Sequence, residues 1–261
     1  MKHTVLKHLP GDFPWQVHWF QCVDSTNDLA KTLAKQGAPH GTVLLADSQT
    51  KGRGRLGRSF QSPAGSGIYV SVLLRPDCKA EALLHLTCAV AVAVCDGIEE
   101  VCGFRPGVKW INDFVANNRK LGGILTELSL KPDGSVDHCI IGIGINCLKS
   151  PMPPELAEIA VSIQEVTGEN TDRAMLTAAI LDRLLHMSRA LHTEKNAIMA
   201  RYREDCVTLD RQVVLQKNGD SQPAYARDID LDGGLIVQYP DGSVQTVTSG
   251  EASVRGLCGY L

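Results

Sequence analysis

The chain has 261 residues, 44% of them hydrophobic and 21% charged, with a formal charge of −3. This length suits one large domain, or a medium domain with a small appendage, and the balance excludes a disordered chain. A slightly acidic sum also argues against a dedicated nucleic-acid binder, which is usually basic overall.

The opening residues, MKHTVLKHLPGDFPW, lack the continuous apolar core of a signal peptide. The longest apolar run, LTCAVAVAVC (86–95), is too short to span a bilayer and reads as a buried helix. No membrane association is expected. Nine cysteines are spread along the chain without a C-x-x-C pair, which favours neither a disulfide scaffold nor zinc. Cys88, Cys95 and Cys102 read as small hydrophobes on one apolar helix face. A reducing, cytoplasmic compartment is expected.

In chain order, short strands alternate with longer helical stretches. QVHWFQCV (16–23) reads as a strand. DSTNDLAKTLAKQG (24–37) reads as a helix with polar N-cap residues and Gly37 as its stop. TVLLAD (42–47) is a strand that leads into a basic loop, and GIYVSVLLR (67–75) is a β-rich run. A long buried helix is expected from about Ala80 to Val101. GVKWIND (107–113) and KLGGILTELSL (120–130) look like paired strands around the turn ANNR (116–119). HCIIGIGINC (138–147) is another buried strand. SPMPPEL (150–156) marks a loop, and one helical region is expected from about Asp172 to Glu204.

After Leu209 the texture changes to short strands. Asn218-Gly219, Asp232-Gly233-Gly234 and Asp241-Gly242 separate them as hairpin signals. This predicts a small β-barrel of about fifty residues. The expected domains are 1–207 and 208–261.

Four stretches can carry chemistry. In SQTKGRGRLGRSF (48–60), Lys51, Arg53, Arg55 and Arg58 place four cations within eight positions, with glycines between them. Glycine lets the backbone approach a ligand, unpaired N–H groups can cup an anion, and arginine offers a planar fork to carboxylate or phosphate. The loop follows neither the P-loop nor the dinucleotide-binding pattern, and a solvated or RNA-touching loop is the alternative. In KWIND (109–113) and RKLGG (119–123), Lys109 and Lys120 flank a hairpin, while Asn112 and Asp113 offer an amide and a carboxylate. Charges left in solvent around a core Trp110 would read the same way. In DSTN (24–27) the polar groups either cap a helix or face a pocket. In GIGIN (142–146) two glycines call for a close neighbour, either backbone or ligand.

The joint pattern is more specific than its parts. STN, Q-x-x-G-R-G-R-x-G-R, K-W-x-N-D, R-K-L-x-G-I-L-x-E and G-x-G-I-N, in this order and spacing, closely resemble the biotin–protein ligases from about Val23 to the C-terminal strands. The resemblance implies an α/β (α+β) fold: a mixed-sheet biotin/lipoate-ligase catalytic domain followed by a small SH3-like β-barrel. It implies biotinyl-5′-adenylate formation from biotin and ATP with Mg²⁺. Transfer to one lysine of a biotin carboxyl carrier domain, in acetyl-CoA carboxylase or a related carboxylase, follows. No tightly bound prosthetic group is implied, and a homodimer stays open.

By position, Ser25, Thr26, Asn27 and Gln49 resemble residues that line the biotin pocket. Arg53, Gly54 and Arg55 resemble the loop that closes over biotin and the adenylate, and Arg58 a phosphate contact. Lys120 resembles the lysine beside the biotin carboxylate and the α-phosphate, and Lys109, Asn112 and Asn146 the nucleotide-side contacts. Asp113 would help position the metal or the incoming amine. Arg255 matches a C-terminal arginine near the nucleotide in some members. Ile111 stands where proline is usual, Ser59-Phe60 where Lys-Trp is common, and Ala160 where some members place a tryptophan over the adenine.

Some bacterial members begin with a winged helix and repress transcription. Only about twenty residues precede the first family strand here, so a ligase without specific DNA binding is expected. Lipoate or octanoyl transfer, a biotin-sensing protein without transfer and a nucleic-acid role for the loop are the competing readings.

Overall fold

The computed structural model describes residues 2–150, 153–217, 220–248 and 253–256. Seven strands form the main sheet: β1 (Gln16–Val23), β2 (Thr42–Gln49), β3 (Gly67–Leu74), β4 (Gly107–Lys109), β5 (Asp113–Ala116), β6 (Arg119–Leu130) and β7 (Val136–Asn146). Their order is β1-β2-β3-β7-β6-β5-β4. Only β1 and β2 run parallel, so the sheet is mixed. A parallel pair needs a crossover, and the helix after β1 supplies it.

Among the described residues, seven α-helices belong to the same unit. They are α1 (Lys2–His8), α2 (Thr26–Lys35), α3 (Leu86–Cys102), α4 (Pro154–Ala157), α5 (Ile163–Thr167), α6 (Arg173–Ala190) and α7 (Lys195–Asp205). Every residue of β3 is buried, which is why its sequence is almost continuously apolar. On one face, Ala30 and Ala34 of α2 pack on Leu44, Leu73 and Ile140. On the other, α3 and α6 cover the larger core cluster. The segment Ala80–Cys102 has the length and hydropathy of a membrane span, but 72% of its apolar window is buried inside the fold.

Several expectations shift by local chemistry. The long buried helix splits into a 3₁₀ turn, Ala80–Leu83, and α3. GVKWIND is not one strand. It breaks between β4 and β5 at a turn holding the cis Trp110–Ile111 peptide. The hairpin partner of β6 is β5, and Asn117 and Asn118, both at positive φ, form their turn. The proline cluster contains the one-turn α4, whose Pro154 occupies an N-terminal helix position that needs no N–H donor. The helical region 172–204 is two helices, separated at Leu191–Glu194.

Five further strands, β8 (Arg211–Lys217), β9 (Asp220–Ile229), β10 (Leu235–Gln238), β11 (Val244–Val247) and β12 (Ser253–Gly256), form an antiparallel sheet ordered β11-β10-β9-β8-β12. The turns at Asp232-Gly233-Gly234 and Asp241-Gly242 join its strands as expected. The Asn218-Gly219 turn lies outside the described residues. This second sheet is sewn to the first unit. Trp110 Nε1 donates to Gly233 O at 2.9 Å, and Arg203 Nε donates to Ile229 O at 2.7 Å. Gly233 has φ +88, and a Cβ there would lie 2.9 Å from Cys88 Sγ. Only glycine suits both the turn and the contact.

Candidate active site

One cleft of about 470 Å³ opens above the ends of β2, β6 and β7. Its inner wall is the start of α2. Ser25 is the N-cap and accepts from Asp28 N at 3.4 Å. Thr26 and Asn27 follow, and all three are buried although polar. Burial of such groups requires partners. Thr26 N and Oγ1 both reach Gln49 Oε1, at 2.9 and 3.1 Å. Gln49 Nε2 donates to Ser62 Oγ at 2.8 Å. Ser71 Oγ lies 2.7 Å from Thr26 Oγ1 and 2.6 Å from Asn27 Oδ1. These groups therefore cap a helix and line a polar pocket at once.

The glycines of GIGIN make room for this wall. A Cβ on Gly142 would sit 2.1 Å from Asn27 Oδ1, and one on Gly144 would sit 2.6 Å from the Phe60 ring. Gly122 on β6 backs onto Gly144 O, where a Cβ would come to 2.3 Å. The floor is bare backbone because side chains would fill it.

The basic loop folds back on itself over the pocket mouth. Phe60 N donates to Gly52 O at 2.9 Å and Gly54 N to Arg58 O at 2.7 Å. Leu56 and Gly57 turn its tip at positive φ. Arg53 reaches Asp28 Oδ1 at 2.6 Å and Glu127 Oε1 at 3.3 Å. Arg55 points inward, donating to Asn112 Oδ1 at 2.8 Å. Burial pulls the Arg55 guanidinium below the usual arginine range, toward a cation that has lost part of its water. Arg58 lines the same cleft from an exposed position, while Lys51 pairs outside with Asp24 at 2.8 Å.

The opposite wall comes from the β4–β5 turn and β6. Lys120 Nζ donates to Asp113 Oδ1 at 2.7 Å. Asn112 Nδ2 reaches the same oxygen at 3.2 Å and Ile124 O at 3.0 Å. Lys109 lines this wall as well. The backbone of Lys120 is clamped on both sides: its N donates to Ile159 O at 2.7 Å and its O accepts from Val161 N at 2.9 Å. Ala160 lies in that bridge, half-buried, and its neighbour Ile159, 38% exposed, faces the cleft. Val254 brings β12 to the same rim.

Thus Arg53, Arg55, Arg58, Lys109 and Lys120 converge on one cleft beside the polar pocket. Asn146 is not among the lining residues. At the end of β7, its Nδ2 donates to Val161 O at 3.2 Å, bracing the segment that clamps Lys120. The Arg255 side chain lies outside the described residues. Sequence reasoning missed Ser71 and gave no role to Glu127, which accepts from Asn27 Nδ2 at 2.9 Å. The signal for Ser71 was a hydroxyl inside an otherwise apolar strand. For Glu127 it was membership of the RKLGGILTE stretch.

Among the described residues, no group of three or more His, Cys, Asp or Glu is arranged to hold a metal. Asp113 is the one carboxylate among the described lining residues. That donor set fits a Mg²⁺ ion delivered on a polyphosphate, which needs few protein oxygens.

A family model for the biotin/lipoate A/B protein ligase family matches residues 19–146, and one for the biotin protein ligase C-terminal domain matches 208–255. Over 161 residues the chain is 44% identical to the bifunctional ligase/repressor BirA of Bacillus subtilis, covering 61% of this chain and 49% of that protein. The match thus spans about half the length of that relative. Over 243 residues it is 30% identical to the biotin–[acetyl-CoA-carboxylase] ligase of Paracoccus denitrificans, covering 89% and 98% of the two chains. The fold superposes on the biotin protein ligase of Aquifex aeolicus, solved in complex with biotin and ATP, with a TM-score of 0.78. The identity there is 31%, over 92% of this chain and 99% of that one.

Proposed function

The chain belongs to the biotin protein ligases of the biotin/lipoate A/B protein ligase family, and on that premise we propose that its cleft carries out the two steps of protein biotinylation. Biotin and ATP give biotinyl-5′-adenylate and pyrophosphate. The biotinyl group then passes to one lysine of a biotin carboxyl carrier domain, in acetyl-CoA carboxylase or a related carboxylase, and AMP leaves. The observation that carries this is the convergence of Arg53, Arg55, Arg58, Lys109 and Lys120 beside a buried polar pocket.

The chemistry explains the charge. A biotin carboxylate oxygen must attack the α-phosphorus of ATP as the bond to the pyrophosphate oxygen breaks. Two anions are brought to bonding distance, and negative charge moves onto the leaving group. Cations already in place offset the repulsion and stabilise that charge. Ser25, Thr26, Asn27 and Gln49 hold the ureido head by hydrogen bonds. Lys120 sits between carboxylate and α-phosphate, and Arg53, Gly54 and Arg55 close over the mixed anhydride and keep water from it. Arg58, Lys109 and Asn112 face the nucleotide, and Asn146 acts from behind by bracing Val161. Mg²⁺ bound to the ATP phosphates would be met by Asp113 and would supply charge neutralisation there. Ile159 and Val254 offer the adenine an aliphatic surface beside Ala160.

In the second step the amine nitrogen attacks the acyl carbon, the bond to the phosphate oxygen breaks and the amine gives up a proton. Asp113 helps position the incoming amine, whose proton passes to solvent; because the amine attacks the adenylate directly, no cysteine nucleophile is needed. Buried Cys139 and Cys147 are pushed up to about 12 by loss of solvent, which makes poor nucleophiles of them.

We divide the chain into a catalytic domain, 1–207, and a C-terminal β-domain, 208–261, and place it in the cytoplasm. The eight described cysteines are unpaired, which suits a reducing compartment. Specific DNA binding is not part of the proposal. Arg53 and Arg55 already hold Asp28 and Asn112, and only Arg58 and Lys51, the latter paired with Asp24, are left for an outside phosphate backbone.

The deciding experiment is transfer to a purified carrier domain, read by mass on the acceptor lysine, with lipoate in parallel. One ATP-dependent biotin mass shift supports the proposal. Tight biotin binding without transfer would replace it by a sensing role.

A further inference from the structure

Glu127 is not among the residues that line the cleft, yet it touches two elements that are. From β6, its Oε2 accepts from Asn27 Nδ2 at 2.9 Å. Its Oε1 accepts from Lys31 Nζ at 2.6 Å and from Arg53 at 3.3 Å. Arg53 also reaches Asp28 Oδ1 at 2.6 Å. The basic loop, the first turns of α2 and strand β6 therefore meet at one carboxylate.

The arrangement has two consequences. First, it orients the Asn27 amide. With Nδ2 engaged by Glu127 and by Leu125 O at 3.3 Å, Oδ1 is turned to Ser71 and the pocket. A flipped amide would put a donor where an acceptor stands. Second, it holds Arg53 down. The Glu127 side chain is 22% exposed against 39% for Arg53, so this pair is better shielded than an open surface pair.

We infer that Glu127 is a positioning residue, a latch that makes closure of the Arg53 loop and orientation of the Asn27 amide a single event. The inference rests on the reading that Asn27 meets the ligand's polar head and that the loop closes over it. Binding then favours closure because the same carboxylate serves both sides. Loop opening removes the Arg53 contact at Oε1, leaving Lys31 alone on that oxygen, and loosens the carboxylate that fixes Asn27.

The test is a release-rate cycle. Glu127→Gln keeps an acceptor for Asn27 but removes one of the two charges that hold Arg53, Asp28 being the other. Preformed biotinyl-adenylate is chased with unlabelled biotin for wild type, Glu127→Gln, Arg53→Gln and the double variant. Glu127→Gln is expected to release adenylate roughly tenfold faster, as for one lost hydrogen bond to a charged group. In the Arg53→Gln background the same change is expected to add less than twofold, because the partner is already gone. The wild-type rate should also rise toward the variant's as salt screens the pair.

Unchanged release in Glu127→Gln, or the same factor in both backgrounds, overturns the latch. If Glu127→Gln does not fold, Asp28→Asn, at a half-exposed position, must speed release in the same Arg53-dependent way, and failure to do so overturns it too. A wild-type protein that forms no adenylate would sink the ligase reading itself and the latch with it. An active wild type with an indifferent Glu127 removes the latch alone.

Discussion

Lys120 Nζ and Asp113 Oδ1 lie 2.7 Å apart, and Asn112 Nδ2 stands 3.2 Å from the same oxygen. The ammonium group proposed to meet two anions is thus held by a carboxylate on the neighbouring strand. Substrate anions must compete with Asp113 for it, and the released carboxylate then faces the cleft. Lys120→Ala should cut adenylate formation by ~10²–10³, the usual cost of one transition-state charge contact. The fold should survive, since the Lys120 side chain is 29% exposed. ATP–pyrophosphate exchange together with a thermal melt checks both points, and near wild-type exchange would remove Lys120 from the centre.

Arg55 and Asn112 close the cleft from opposite walls at 2.8 Å. Arg55→Gly should let the adenylate escape before transfer. Labelling of bystander lysines in a protein mixture should rise, while carrier biotinylation per adenylate consumed should fall. Asn112→Ala should act in the same direction more weakly, because it leaves the guanidinium in place. Adenylate retention equal to wild type in Arg55→Gly would contradict the assignment.

Gly142 gives a steric prediction. Its missing Cβ would fall 2.1 Å from Asn27 Oδ1, so Gly142→Ala must push the amide or the strand. Overpacking of this kind costs about 1–3 kcal/mol. Biotin affinity should drop by roughly fivefold or more by calorimetry, with a lowered Tm. Gly134→Ala is the control for stability alone, since nothing crowds that turn, although its φ of +78 also strains a side chain. It should lower Tm without touching biotin affinity.

Acid stability should depend on Asp96. Burial raises its carboxyl, but hydrogen bonds and charge from Arg201 and Arg105 outweigh that and hold it below the ordinary 3.8. A depressed folded value means that the unfolded chain binds more protons. The contribution is therefore present above pH 3.8 and lost as pH falls through the folded value. Asp96→Asn should lower Tm at pH 7, and the gap from wild type should narrow below pH 3.8. A gap that stays constant across that range would refute the linkage.

Much of the fold was legible because periodicity and caps survive in sequence. The strand 16–23, the Ser25 cap and the Gly37 stop match the observed elements closely. The break at Trp110–Asn112 was not legible, since its turn is held by groups distant in sequence: Thr208 Oγ1 on Trp110 N and Tyr202 on Ile111 O. The cleft's cations could be read from their pattern. Their counter-charges could not, because Asp28, Glu127 and Asp113 pair with cations across gaps of 7 to 74 residues. Ser71 was hidden by its apolar strand, where one hydroxyl looks like noise until Asn27 is placed beside it.

Trp110 occupies the turn that carries Lys109 and Asn112 into the cleft, and its indole N–H is bonded to Gly233 of the second sheet. The two sheets are therefore one thermodynamic body at this point. Stripping away the C-terminal strands would leave a buried donor with no acceptor, directly behind the side of the cleft proposed to meet the nucleotide. Heating should accordingly show a single calorimetric peak that biotin and ATP shift as a whole, with no separate early melting of the small sheet.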